Sequence, residues 1–158
     1  MTSFYPAPIP PRPDHPGADD FEIAALEDGR GRGLIARRAF AAGDLVAQLA
    51  GVVTPDASLD TLQLGEGLYM ADPWFARFLL HGCDPNCAVE PAAMRLVARR
   101  AIAAGETLSI DYGATEDRLG RQFECGCSAS SCRAWIMGRK ETPSAKGRAA
   151  LARRARGA

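Results

Sequence analysis

The sequence predicts a mostly β domain built from several short, curved sheets with few helices, and three observations carry that reading. Residues 34–46 (LIARRAFAAGDLV) and 96–108 (LVARRAIAAGETL) repeat one pattern 62 positions apart, each reading as strand, Ala-Ala-Gly-acid turn, strand. Elsewhere the apolar runs are short and are bounded by Gly, Pro and Asp. An aromatic and aliphatic run at residues 77–80 ends abruptly in the polar turn His81-Gly82-Cys83-Asp84-Pro85-Asn86-Cys87. Two copies of a unit are too few for a solenoid and suit two similar β-units around one core.

Taken in order, residues 1–18 hold six prolines and read as a flexible or polyproline arm. Residues 21–26 (FEIAAL) form a first strand, followed by three glycines at Gly29, Gly31 and Gly33. Residues 45–53 are apolar and β-prone. The polar stretch 54–67 allows a short helix near residues 58–64. Tyr69, Trp74, Phe75 and Phe78 cluster within 12 residues, and core is the expected place for Phe78, with Trp74 and Phe75 in the core or at a pocket edge. Pro85 blocks helix continuation and pushes Asp84 toward an extended or turn conformation, so residues 77–87 predict a buried stretch opening into a tight polar turn. Residues 114–122 read as a linker or short helix. This gives an arm (1–18), a main domain (19–122), a cysteine module (123–138) and a basic, disordered tail (139–158).

At 158 residues the chain can bury a real core. Its formal net charge is zero, but seven of 19 Lys and Arg lie in residues 139–158 against one acid, Glu141. The acidic body favours a basic, lysine-rich partner and disfavours direct nucleic-acid recognition. No uncharged apolar run is long enough to span a bilayer, and the first residues lack the pattern of a secretory signal, so no membrane partner and a cytosolic location are expected. Five cysteines, an odd number, fit a reducing compartment. Cys125, Cys127 and Cys132 crowd into eight residues and predict zinc, which takes four soft ligands in a tetrahedron. The fourth comes from elsewhere, with Cys83 and Cys87 both available.

Four motifs in fixed order, Gly31-Arg32-Gly33, residues 77–87, residues 105–113 (GETLSIDYG) and the C-x-C-x4-C cluster, resemble the SET domain of S-adenosylmethionine-dependent protein lysine methyltransferases with its post-SET cysteines. The resemblance covers residues 20–138 and implies the SET-like fold, with pseudoknot-like threading and a small zinc-binding post-SET module. It implies that Gly31, Arg32, Gly33, Arg77, Leu80 and His81 bind the cofactor, that Tyr112 is catalytic, and that Cys83 completes the zinc site with Cys125, Cys127 and Cys132. Ile110 and Trp135 are expected along the substrate channel. The implied activity is methyl transfer to a lysine amine of a basic protein, histone-like or other, in the cytoplasm, or in the nucleus if the source is eukaryotic. Three positions depart from the family pattern. Leu80 replaces an Asn, Leu49 a channel Tyr, and Ile110 a Tyr or Phe. They leave open an alternative, a SET-like zinc module that recognises a basic peptide without turnover.

Overall fold

The computed structural model describes residues 2–157. In chain order its strands are β1 (Phe21–Ala25), β2 (Arg32–Ala36), β3 (Leu45–Gln48), β4 (Val52–Thr54), β5 (Thr61–Gly65) and β6 (Leu68–Ala71). They continue with β7 (Leu80–His81), β8 (Cys87–Glu90), β9 (Arg95–Ala98), β10 (Ser109–Ile110), β11 (Phe123–Glu124) and β12 (Trp135–Ile136). Two helices follow the same numbering, α1 (Tyr112–Thr115) and α2 (Ala145–Gly157). The strands form five small sheets: β1-β2, β3-β9-β8, β4-β6-β5, β10-β7 and β11-β12. The expected mostly β architecture is therefore present.

The internal repeat pairs with itself. Phe40 and Ile102 exchange backbone hydrogen bonds in both directions, at 2.9 Å each. Gly43 N–H donates to the Ala98 carbonyl at 2.8 Å, and Gly105 N–H donates to the Ala36 carbonyl at 2.7 Å. Ala98 N–H bonds to the Asp44 carbonyl just as Ala36 N–H bonds to that of Glu106. These contacts are related by exchanging the two copies, which makes a local two-fold. Each turn needs φ near +88°, which only glycine adopts without strain, and each is closed by its acidic side chain accepting from Ala41 or Ala103 N–H. Phe21, Leu34, Phe75, Leu79, Leu96 and Ile110 fill the core between the sheets, each at most 1% exposed. Each such side chain contributes about 1.5–3 kcal/mol through burial.

Four expectations are corrected. Residues 58–64 do not form a helix. The two-residue turn Glu66-Gly67, with Gly67 at φ +64°, folds β5 back on β6 and buries Leu62 opposite Met70. Phe78 is half-buried, between the guanidinium groups of Arg32 and Arg77 at 5.1 and 5.3 Å from its ring centre. The arm is docked: Tyr5 is buried, Phe4 packs on Phe75, and Gln48 N–H of β3 donates to the Asp14 carbonyl. Prolines restrict the arm without preventing it from burying the aromatic residues between them. The tail from residue 145 is helical, because alanine and arginine favour helix and Ser144 Oγ accepts from Gly147 N–H at its start. Among the described residues no helix is long and apolar enough to cross a membrane.

Candidate functional site

The segment 77–87 lies at the centre of the site. A 3-10 turn (Ala76–Phe78) leads into β7, which pairs in parallel with β10, Leu80 beside Ser109 and His81 beside Ile110. Parallel neighbours need a long crossover, here residues 82–108, so the pairing joins two remote motifs. Gly82 allows the close approach, since a Cβ there would lie 3.0 Å from Ser109 Oγ. Buried Asn86 fixes the crossover, accepting from Ser109 N–H at 2.8 Å and donating to the Thr107 carbonyl at 2.9 Å. Its position after Pro85, in a turn that must be buried, is the one mark of this role in the sequence.

His81 links the two halves of the site. Its Nδ1 accepts from Tyr112 N–H at 3.3 Å, so the proton resides on Nε2, which faces Cys83 Sγ at 3.3 Å. Burial pushes its pKa down to about 4, so the ring is neutral at physiological pH. Tyr112 begins α1, and Asp111 caps that helix by accepting from Gly113 N–H at 3.0 Å. Asp111 is also ion-paired with Arg133. The Tyr112 hydroxyl donates to the Leu79 carbonyl, a partner that only the backbone could supply and that sequence could not reveal. Burial, with the Glu116 carboxylate nearby, pushes the phenol up to about 12.

The glycine loop reaches the same place. A Cβ on Gly33 would lie 3.2 Å from Leu80 Cδ1 and 3.3 Å from Thr107 Cγ2. Gly31 is exposed at φ +91°, and Arg32 rests on Phe78. Arg77 pairs with Asp60 at 3.4 Å and keeps an exposed guanidinium. A cavity of about 210 Å³ is lined by Arg77, Tyr112, Leu62, Glu116, Leu119 and Phe123; of the six residues expected to bind the cofactor only Arg77 is on its wall, and Gly31, Arg32, Gly33, Leu80 and His81 are not. Ile110 and Trp135, expected along a channel, are not on its wall. Ile110 is fully buried in the core, and Trp135 lies against Gly147 of α2 with its Nε1 donating to Gln122 at 2.9 Å. Phe123, whose ring lies 6.1 Å from that of Tyr112, supplies the apolar wall instead.

The Sγ atoms of Cys83, Cys125, Cys127 and Cys132 all lie within 4.8 Å of one another. Zinc bound at about 2.3 Å to four sulfurs would set S–S edges of about 3.8 Å. Cys83 and Cys125 are 3.8 Å apart, so the donor set fits. Burial raises the Cys125 thiol. Burial alone would also raise Cys127, but backbone hydrogen bonds at Ala129 and Cys83 and the neighbouring thiols bring it down to about 6. A cation is the natural counter-charge for such a group. Arg133 N–H donates to Cys83 Sγ at 3.3 Å. Cys87, the competing ligand, is buried in β8 and outside the group, where burial and the Glu106 carboxylate push its thiol up to about 12.

A family profile of the SET domain matches residues 31–113. The chain is 29% identical over 129 residues to histone-lysine N-methyltransferase 2B of Homo sapiens, covering 67% of this chain and 5% of that protein. It is 38% identical over 73 residues to the H3 lysine-36 specific histone-lysine N-methyltransferase of Aspergillus fumigatus, covering 42% of this chain and 7% of that protein. The chain thus spans only a small part of these curated relatives. In fold it is similar to the methyltransferase domain of human histone-lysine N-methyltransferase SETMAR, at TM-score 0.57 and 22% identity over 73% of this chain and 57% of that one. It is also similar to KRYPTONITE in complex with mCHH DNA, H3(1-15) peptide and SAH, at TM-score 0.59 and 24% identity over 73% of this chain and 29% of that one. The matched segment contains the glycine loop, the central turn and Tyr112, and the chain belongs to the SET domain family.

Proposed function

We propose that this chain is an S-adenosylmethionine-dependent protein lysine N-methyltransferase acting on a basic, lysine-containing protein, histone-like or other, with one zinc ion on Cys83, Cys125, Cys127 and Cys132. One observation supports it above the rest. The Tyr112 hydroxyl is held on the Leu79 carbonyl, at the edge of a cavity shared with Arg77. The relatives named as histone-lysine methyltransferases point the same way. The reading places the protein inside the cell, where thiols stay reduced.

S-adenosylmethionine supplies an electrophilic methyl group on a sulfonium. Gly31 leaves exposed backbone along which it would lie, with Gly33 packed behind on Leu80; Arg32 and Arg77 would offer guanidinium groups to its carboxylate, and Leu80 and His81 would contact it through the backbone. Leu80 has no side-chain amide, so this contact is confined to the backbone, with an expected loss of about 1 kcal/mol against an Asn. Tyr112 is protonated at neutral pH and is no base. Its oxygen and the Leu79 carbonyl would present partial negative charge to a methyl group and amine bound beside them, which would favour the transition state over the ground state. Asp111 is occupied by Arg133 and the helix cap, so the amine proton goes to water. Ile110 and Trp135 act at one remove from the channel, Ile110 by backing Tyr112 and Trp135 by seating the cysteine module against α2.

The test is incubation of the pure protein with methyl-labelled cofactor and a panel of basic proteins, repeated with Tyr112→Phe. Label transfer that falls at least about tenfold in the variant supports the reading, in line with loss of one charge-stabilising group. Binding of basic peptides with no transfer would make the chain a recognition module, and an undiminished Tyr112→Phe rate would remove that residue from the mechanism.

A further inference from the structure

The docked arm meets the site through one buried carboxylate. Asp72 is 0% exposed, and every backbone N–H from Trp74 to Arg77 points at it. Its Oδ1 accepts from Trp74 at 3.2 Å and Phe75 at 2.9 Å, its Oδ2 accepts from Ala76 at 3.1 Å, and its carbonyl accepts from Arg77 at 3.1 Å. Asp72 therefore sets the entry to the 3-10 turn that carries Arg77. The chain continues by Leu79 N–H donating to the Ala76 carbonyl, and the Leu79 carbonyl receives the Tyr112 hydroxyl.

The remaining partner of Asp72 comes from the arm. The Tyr5 hydroxyl donates to Asp72 Oδ2 at 2.9 Å and accepts from Ala50 N–H at 3.0 Å, so one buried oxygen joins the arm, the β3–β4 connection and the turn. The Tyr5 ring is packed edge-on against Trp74 and His15. A carboxylate sealed from water needs every hydrogen bond it can accept, since an unpaired buried polar group is costly. Tyr5 lies outside the matched segment 31–113.

We propose that Tyr5, acting through Asp72, is a positioning residue that holds segment 74–79, and with it Arg77 and the Leu79 carbonyl, in the geometry the site uses. Its consequence for cofactor binding rests on the methyltransferase reading, while its consequence for the segment does not. Backbone amide exchange on the full chain tests the second directly. Tyr5→Phe keeps the ring and removes the hydroxyl, and should speed exchange at residues 74–79 roughly tenfold, the effect of one buried hydrogen bond. Exchange in β1–β2 and in residues 123–136 should not change. Asp72→Asn should speed the same residues further, and the double variant should match Asp72→Asn alone, because both act on one link. Titration with S-adenosylhomocysteine should show affinity falling several-fold in Tyr5→Phe, and KM for the cofactor should rise more than kcat falls. Unchanged exchange at 74–79, a uniform rise over the whole domain, or additive effects in the double variant would each overturn the proposal. If the wild-type protein takes no S-adenosylhomocysteine, the methyltransferase reading fails and the exchange pattern still decides the role of Tyr5.

Discussion

Replacing Gly147 by Ala tests whether the C-terminal helix is part of the domain. A Cβ at this position would lie 2.4, 2.6 and 2.7 Å from Nε1, Cε2 and Cδ1 of Trp135. Carbon atoms settle at about 3.5–4.0 Å, so α2 must retreat by about 1 Å. The indole cannot give way easily, because its Nε1 is bonded to Gln122, which also accepts from Ser144 N–H. Overpacking of this kind costs about 1–3 kcal/mol. Alanine gains about 1 kcal/mol over glycine as a helix former, but that gain accrues to the helix whether it is docked or free. Docking therefore bears the whole steric cost, and the docked fraction should fall about 5–150-fold relative to the undocked. Limited trypsin digestion followed by intact-mass measurement reads this directly, because Arg148, Arg153, Arg154 and Arg156 all lie on α2. The variant should lose its tail at least about five times faster, with no loss of helix signal in the far ultraviolet. Equal digestion rates and an unchanged tryptophan signal would show that α2 does not rest on Trp135.

The purified protein should carry one zinc per chain by mass spectrometry. Cys132→Ser, or a strong chelator, should strip the metal and release residues 123–136 to fast amide exchange while β1 and β2 stay protected. A metal-free protein with a protected module would refute the four-cysteine site. In a spectrophotometric titration Tyr112 should ionise near pH 12, and Tyr112→Phe should remove that step. The sign follows from the raised pKa: between about pH 10 and 12 the folded state keeps a proton the unfolded state has lost, so stability drops as pH rises through that window.

Local signals were legible and long-range ones were not. The repeat at 34–46 and 96–108 predicted two strand–turn–strand units, and the structure has them. That they pair with each other is a tertiary fact with no local mark. By residue type Cys83 and Cys87 are both ligand candidates; the family resemblance names Cys83, and the structure brings Cys83 to the other three thiols while Cys87 is buried in the core. Tyr112 was readable from its motif, but the Leu79 carbonyl that anchors it is backbone and leaves no trace in composition. Aromatics usually go to the core, but the half-buried Phe78 ring is covered by Arg32 from a remote segment as well as by its neighbour Arg77, and no local pattern reports Arg32. The arm and tail misled for one common reason. Proline richness and basic charge describe how a segment behaves alone, and both segments are placed by tertiary contacts, among them Tyr5 on Asp72, Phe4 on Phe75 and Gly147 on Trp135.

The separate motifs converge because one short stretch is paired on both sides. Thr107 bridges Ile35 of β2, and Leu108 N–H donates to the Leu34 carbonyl at 2.8 Å, just after the glycine loop. On the other side the Leu108 carbonyl accepts from Leu80 N–H at 3.3 Å, and Ser109 and Ile110 align with Leu80 and His81. Residues 107–111 thus register the strand after the glycine loop and the central turn against the segment that carries Tyr112. A slip of one residue would carry Tyr112 about 3.3 Å along the strand and turn Ile110 from the core to the opposite face. The reciprocal bonds of Phe40 with Ile102, and the bond from Gly105 N–H to the Ala36 carbonyl, lie immediately before this stretch and prevent that slip. The repeat therefore does more than fill the core: its self-pairing sets the register on which the distance between the glycine loop and the Tyr112 hydroxyl depends.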